Sequence, residues 1–169
     1  PDEQKFTVGR DDFSFLNEEK YFFDEEELRQ AKRAGLAAQL FRKGMVPDTV
    51  SNELNYYIPE EDFEKLTRGM SNTVKNEVIA LEMKKWGGSC YGMVRVAAIR
   101  YLDKTRLPLT AISPELLEEN VTFDLKEPAQ DMNVRNLINY YQLAQVLPLE
   151  KALEREECEN RIKTDYLGA

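Results

Sequence analysis

The chain of 169 residues contains no histidine, which removes the commonest general base and the commonest metal ligand from any mechanism confined to these residues. Cysteine is scarce too. The two present, Cys90 and Cys158, are too few for a disulfide framework, and neither lies in a CxxC or Cys/His spacing that would hold zinc; no metal and no cofactor is expected. Basic residues are outnumbered, 23 against 31 acidic, for a formal charge of -8. A field of that sign repels phosphate backbones and anionic lipid, so neither nucleic acid nor a membrane surface is an expected partner. No run approaches the roughly 20 apolar residues needed to span a bilayer. The opening Pro1-Asp2-Glu3 has neither the basic nor the apolar part of a signal peptide.

What is present is enough apolar matter, 42% of residues, for one domain with a hydrophobic core. Residues 1–23 are aromatic and acidic, with Phe13, Phe15 and Leu16 ahead of Tyr21-Phe22-Phe23, and read as an extended arm that pins its rings onto something else. Residues 24–169 read as the helical part. Asp24 with Glu27 three positions on is a capping-box start, followed by Leu28, Ala31, Gly35, Ala38 and Phe41 at helical spacing until Lys43-Gly44. Pro47 to Asn55 is a polar loop. Tyr56-Tyr57-Ile58 is a short extended piece before Pro59 opens a helix with Phe63, Leu66 and Met70 on its apolar side. Ser71 caps a third helix bearing Val74, Val78 and Leu81, with Lys84 and Lys85 in its last turn and Gly87-Gly88 as the stop.

After Ser89-Cys90, the positions Val94, Ala97, Ala98, Tyr101 and Leu102 follow the i, i+3, i+4, i+7, i+8 pattern of a helix packed on one face. A short helix is expected from Ser113-Pro114-Glu115, a strand over Val121 to Leu125, and a helix from Asn133 with Val134, Leu137, Ile138 and Tyr141 on one face. Pro148 marks a break, and Leu149 to Tyr166 reads as a charged surface helix.

The run Trp86-Gly87-Gly88-Ser89-Cys90-Tyr91-Gly92-Met93 carries the chemistry. A thiol at the first turn of a helix meets unpaired N–H groups and the positive end of the dipole, which favour a thiolate. Glycines ahead of it let a substrate backbone approach, and the cysteine N–H can point at a developing oxyanion. Cys90 is thus the candidate nucleophile; Gly87, Gly88, Ser89, Tyr91 and Trp86 are the candidate substrate-binding residues. Cys158, set among Glu156, Glu157 and Glu159, is not a candidate, because neighbouring carboxylates suppress thiol reactivity. Asp24 to Glu27 read as a solvated helix start rather than a calcium site, and the acids Glu118, Glu119 and Asp124 lack any second feature of a glycosidase.

Gly-Ser-Cys-Tyr entering an apolar helix resembles the nucleophile signature of the papain-like cysteine peptidases, with Gly87 where that family has a further cysteine. With Trp86 ahead of it and Phe13-Ser14-Phe15-Leu16-Asn17 far upstream, the chain looks most like a divergent bacterial secreted branch, which implies an extracellular or cell-surface location. The resemblance implies a mainly α chain: the helical half of a papain-like α+β fold, with few short strands and the sheet half absent. It also implies a histidine base, an Asn or Asp to orient it, and an oxyanion-donating glutamine six positions before the cysteine. Lys84 occupies that position, leaving Asn76 or Trp86 as conceivable donors. The implied function is peptide-bond hydrolysis through Cys90, with a peptide or protein substrate and a second segment or chain supplying the histidine. The competing reading is a non-catalytic helical protein-interaction module on a pseudo-peptidase scaffold; a third makes the segment before Asn72 an inhibitory prosegment.

Overall fold

Asp24 and Glu27 bond reciprocally: the Glu27 N–H donates to Asp24 Oδ1 at 2.8 Å and the Asp24 N–H to Glu27 Oε2 at 2.9 Å. Two N–H groups that a helix start leaves without partners are satisfied by one pair of side chains, as the sequence spacing predicts. The same Glu27 carboxylate receives both arms of the Arg135 guanidinium, at 2.8 and 2.9 Å. Arg135 also donates to the Phe22 carbonyl at 3.0 Å and lies 5.3 Å from the Phe23 ring. A local cap therefore doubles as a long-range tie.

The computed structural model describes residues 5–42, 54–103, 107 and 121–147. Among them the helices are α1 (Glu19–Phe22), α2 (Glu25–Arg42), α3 (Glu60–Leu66), α4 (Asn72–Glu82), α5 (Cys90–Asp103) and α6 (Met132–Leu143). No strand occurs among the described residues; a single antiparallel bridge joins Asn55 to Lys85. The protein is mainly helical where described. The helix expected from Ser113 and the surface helix expected over 149–166 lie outside the described residues, as do Cys158, Glu118 and Glu119. No helix among the described residues is long and apolar enough to cross a membrane.

Several expectations change. Thr122–Asp124 is a turn of 3-10 helix, not part of a strand. Thr122 and Leu125 are buried three positions apart while Phe123 and Asp124 face out, and Arg100 Nε donates to Thr122 Oγ1 at 3.1 Å; a tight turn pairs the backbone locally, the Asp124 and Leu125 N–H groups donating to the Val121 and Thr122 carbonyls. Residues 5–23 are not extended throughout, because the Asp11 N–H bonds back to the Thr7 carbonyl at 2.9 Å and Glu19–Phe22 forms one helical turn. Their rings Phe15, Phe22 and Phe23 are buried within the core itself. Helix α4 starts where expected, with Ser71 Oγ accepting from the Val74 N–H, but it ends at Glu82, so Lys84, Lys85 and the Gly87-Gly88 pair lie beyond it.

The largest helix–helix interface joins α5 to α6. Asp131 caps α6 by accepting from the N–H groups of Asn133 and Val134, and Val134, Leu137, Ile138 and Tyr141 are all buried, the face that the spacing predicts. Each such aliphatic side chain contributes roughly 1.5–3 kcal/mol when fully buried. On α5 a close approach is made at Gly92, where a Cβ would lie 2.1 Å from the Ile138 carbonyl oxygen. Val96, Ala97 and Ala98 are buried, whereas Val94, expected on the packed face, is 52% exposed. The Gly92 contact rotates α5 so that Arg95 and Arg100 are buried instead, the Arg95 guanidinium lying 5.8 Å from the Tyr141 ring.

Candidate functional site

Cys90 is the first residue of α5 and its side chain is exposed. The Ser89 carbonyl accepts from the Met93 N–H at 2.9 Å, which opens the helix one residue before the thiol. Upstream, the chain is held by two aromatic residues. The Tyr56 hydroxyl donates to the Gly88 carbonyl at 2.8 Å and accepts from the Gly87 N–H at 2.9 Å. Trp86 Nε1 donates to Ser89 Oγ at 2.9 Å, and the indole packs at 5.1 Å from the Phe22 ring and 5.6 Å from Phe23. The turn that presents the thiol is thereby bolted to the core from below.

A residue from the far end of the chain completes it. Asn17 Oδ1 accepts the Ser89 N–H at 2.6 Å, and Asn17 Nδ2 donates to Cys90 Sγ at 2.7 Å. The amide has one sensible orientation: the Ser89 backbone N–H can only donate, so the oxygen must face it and the NH₂ must face the sulfur. Gly88 has φ +114, and a Cβ there would stand 2.9 Å from Asn17 Nδ2. Glycine at 88 thus serves both a left-handed backbone and the room for Asn17. Phe15, Phe22 and Phe23, buried around Asn17 in sequence, fix the segment that carries it.

The expected site residues separate into two groups. Cys90 and Gly87 are exposed and Gly88 half-buried, so they border solvent. Trp86 and Ser89 are buried and support the turn from beneath, the indole N–H donating to the Ser89 hydroxyl. Tyr91 is half-buried behind the thiol. Of the donors conceived from the sequence, Asn76 is an exposed residue of α4, and the Trp86 indole N–H is engaged by Ser89. The position six before Cys90, Lys84, is exposed beyond the end of α4. Asn17 was invisible to local reading, since its partner is 73 positions away; its only sequence signal is a polar amide closing an otherwise apolar run, Phe13-Ser14-Phe15-Leu16-Asn17.

One turn along α5 from Cys90, a largely apolar groove of about 410 Å3 is lined by Phe6, Val8, Phe13, Met93, Val94 and Ala97, with Asp12 as its one charged member. Met93, Val94 and Ala97 follow Cys90 by three, four and seven positions and so share its helix face. Val8 and Val94 are more than half exposed. Asp24 and Glu27 are engaged in the cap and the Arg135 pair and Glu26 pairs with Arg29, and among the described residues no group of three or more potential ligands is placed to hold a metal ion. Asp124 is exposed on its turn.

Chemically, an exposed thiol at an amide-bearing helix start, with a carboxamide NH₂ beside the sulfur, is an arrangement for nucleophilic attack with a donor near the new oxyanion. Comparison with known proteins adds no relative: no family model matches the chain, no curated protein matches it, and no solved structure matches it.

Proposed function

We propose that the chain is the nucleophile-bearing, helical part of a papain-like cysteine peptidase. One observation supports the reading: the Asn17 carboxamide spans Ser89 N–H and Cys90 Sγ, which sets a side-chain NH₂ beside an exposed thiol at a helix start. Attack of the Cys90 thiolate on a peptide carbonyl carbon gives a tetrahedral oxyanion, held between Asn17 Nδ2 and the Cys90 N–H. Collapse expels the amine, which takes a proton from the protonated base; water, deprotonated by that base, then cleaves the thioester to acid and thiol. The 169 residues hold no histidine, so the base comes from another segment or chain.

The substrate is a peptide or protein, and by the resemblance the site works outside the cell or at its surface. The experiment pairs this chain with the reading frame that follows Ala169, expressed together. Hydrolysis of fluorogenic peptides, lost on Cys90→Ser and absent from the 169 residues alone, is the expected result. Turnover that survives Cys90→Ser removes the proposal.

The exposed apolar groove beside Cys90 favours a second reading, a non-catalytic module whose groove receives a partner protein. Under that reading Cys90→Ser leaves partner binding intact and no longer sequence yields hydrolysis.

A further inference from the structure

Arg95 is a buried cation with no anion to balance it. The residue is 6% exposed, and its Nε and Nη1 have no hydrogen-bond partner. No ion pair among the described residues includes it; what it meets is the face of the Tyr141 ring, at 5.8 Å. The residues one turn away on α5, Tyr91, Gly92, Ala98 and Ile99, include no acid. In a chain with 31 acidic residues against 23 basic, a carboxylate is the easiest partner to supply, and a buried charge left without one is costly. Both unpaired atoms are closed to solvent, so an anion from outside does not reach them. What leaves the core is the field of the charge, which buried surroundings screen weakly.

That field falls at the head of α5. Arg95 follows Cys90 by five positions, about 7.5 Å of helical rise, and helical side chains lean toward the N-terminus, here toward the thiol. The groups that satisfy the neighbouring amides are neutral. Asn17 Oδ1 takes the Ser89 N–H at 2.6 Å, and Gln142 Oε1, from α6, takes the Gly92 N–H at 2.8 Å. The Ser89 hydroxyl, which in a local cap would accept such an N–H, is engaged from below by Trp86 Nε1. No acid stands in the first turn of α5. A carboxylate at a helix start stabilises the helix, so carboxamides in its place give up stability and leave the positive end uncancelled. The dipole and the unpaired guanidinium act on the sulfur in the same direction, both favouring its anion.

We propose that Arg95 is an electrostatic support of the Cys90 thiolate, a charge kept unpaired in the core so that, with the neutral caps Asn17 and Gln142, the head of α5 stays positive. It is a positioning residue that acts through the field and meets no reacting atom. The inference rests on Cys90 being the nucleophile, but its test needs no hydrolysis, so the two fail separately. Two variants of the whole chain change the field in different ways: Arg95→Met removes the cation, and Gln142→Glu keeps an acceptor for the Gly92 N–H while adding an anion. Each is compared with the wild-type chain by iodoacetamide alkylation of Cys90, located by peptide mass spectrometry, and by thiolate ultraviolet absorbance at neutral pH with Cys90→Ser as the blank. Alkylation is expected to slow about threefold or more in both, and the thiolate absorbance to fall with it. The urea midpoint of Arg95→Met is expected to hold or rise, because an unpaired buried charge has gone. A residue that merely props the helix pair would do the opposite, lowering the midpoint and leaving the thiol as it was. The proposal is overturned if folded Arg95→Met, or Gln142→Glu, alkylates at the wild-type rate; should Arg95→Met not fold, Gln142→Glu alone decides.

Discussion

Asn17 grips the turn before α5 at two consecutive residues, its oxygen taking the Ser89 N–H at 2.6 Å and its NH₂ reaching Cys90 Sγ at 2.7 Å. The two ends of one carboxamide do different jobs, so two substitutions separate them. Asn17→Asp keeps an acceptor for Ser89 but replaces the donor at the sulfur by a negative oxygen. Asn17→Ala removes both. Alkylation of Cys90 by iodoacetamide, followed by peptide mass spectrometry, is expected to slow in both variants and most in Asn17→Asp, where a carboxylate opposes the thiolate. Under the proposed peptidase reading either change is expected to lower kcat by about a hundredfold. Equal alkylation rates in all three proteins would show that Asn17 only props the turn.

The two glycines before Ser89 are predicted to differ sharply. Gly88→Ala places a Cβ 2.9 Å from Asn17 Nδ2 on a backbone with φ +114, and is expected to cost about 1–3 kcal/mol while slowing Cys90 alkylation, because the carboxamide is pushed aside. Gly87→Ala meets only the Tyr56 hydroxyl oxygen at 3.9 Å, an ordinary contact, and is expected to leave both quantities nearly unchanged. Urea unfolding and the alkylation assay on the pair check this.

Gly92 sets the spacing of the two central helices. Its missing Cβ leaves room for the Ile138 carbonyl, which would otherwise stand 2.1 Å away, and its N–H donates to Gln142 Oε1 at 2.8 Å. Backbone faces backbone here, and no side chain can swing out of the way. Gly92→Ala is therefore expected to destabilise by about 3 kcal/mol or more, seen as a fall in the urea midpoint, while Ala97→Gly on the same helix costs only about 1 kcal/mol.

Two ionisable groups, the buried Tyr140 and the half-buried Glu82, give the stability a pH dependence at each end of the scale. Burial pushes Tyr140 up to about 12, with the Asp62 carboxylate adding to the shift and Arg68 opposing it. The raised value means that the unfolded chain loses its phenol proton first, so stability is intact below about pH 10 and falls as the pH rises toward 12. Tyr140→Phe is expected to remove that alkaline step. Glu82 is also raised, by burial, against a bond from the Ile58 N–H that favours its charged form. Its contribution is present when the carboxyl is protonated and is lost as pH rises from the ordinary carboxylate range through the raised value. Glu82→Gln is expected to flatten the acid-side slope of the urea midpoint; an unchanged slope would assign it to another group.

Local spacing determined a good deal of this protein. The Asp24/Glu27 cap, the Ser71 start, the buried face of α6 and the opening of α5 at Cys90 follow from hydrogen bonds and periodicities within one or two helical turns, which a linear reading contains. Tertiary contact decided the rest. A close backbone approach at Gly92 accompanies Val94 facing outward and Arg95 inward, burial of Thr122 and Leu125 on one side accompanies a turn over Thr122–Asp124, and a carboxamide 73 positions distant reached the thiol. Such outcomes depend on which surfaces meet when helices pack, and that is a property of the assembled core which no single stretch of residues carries.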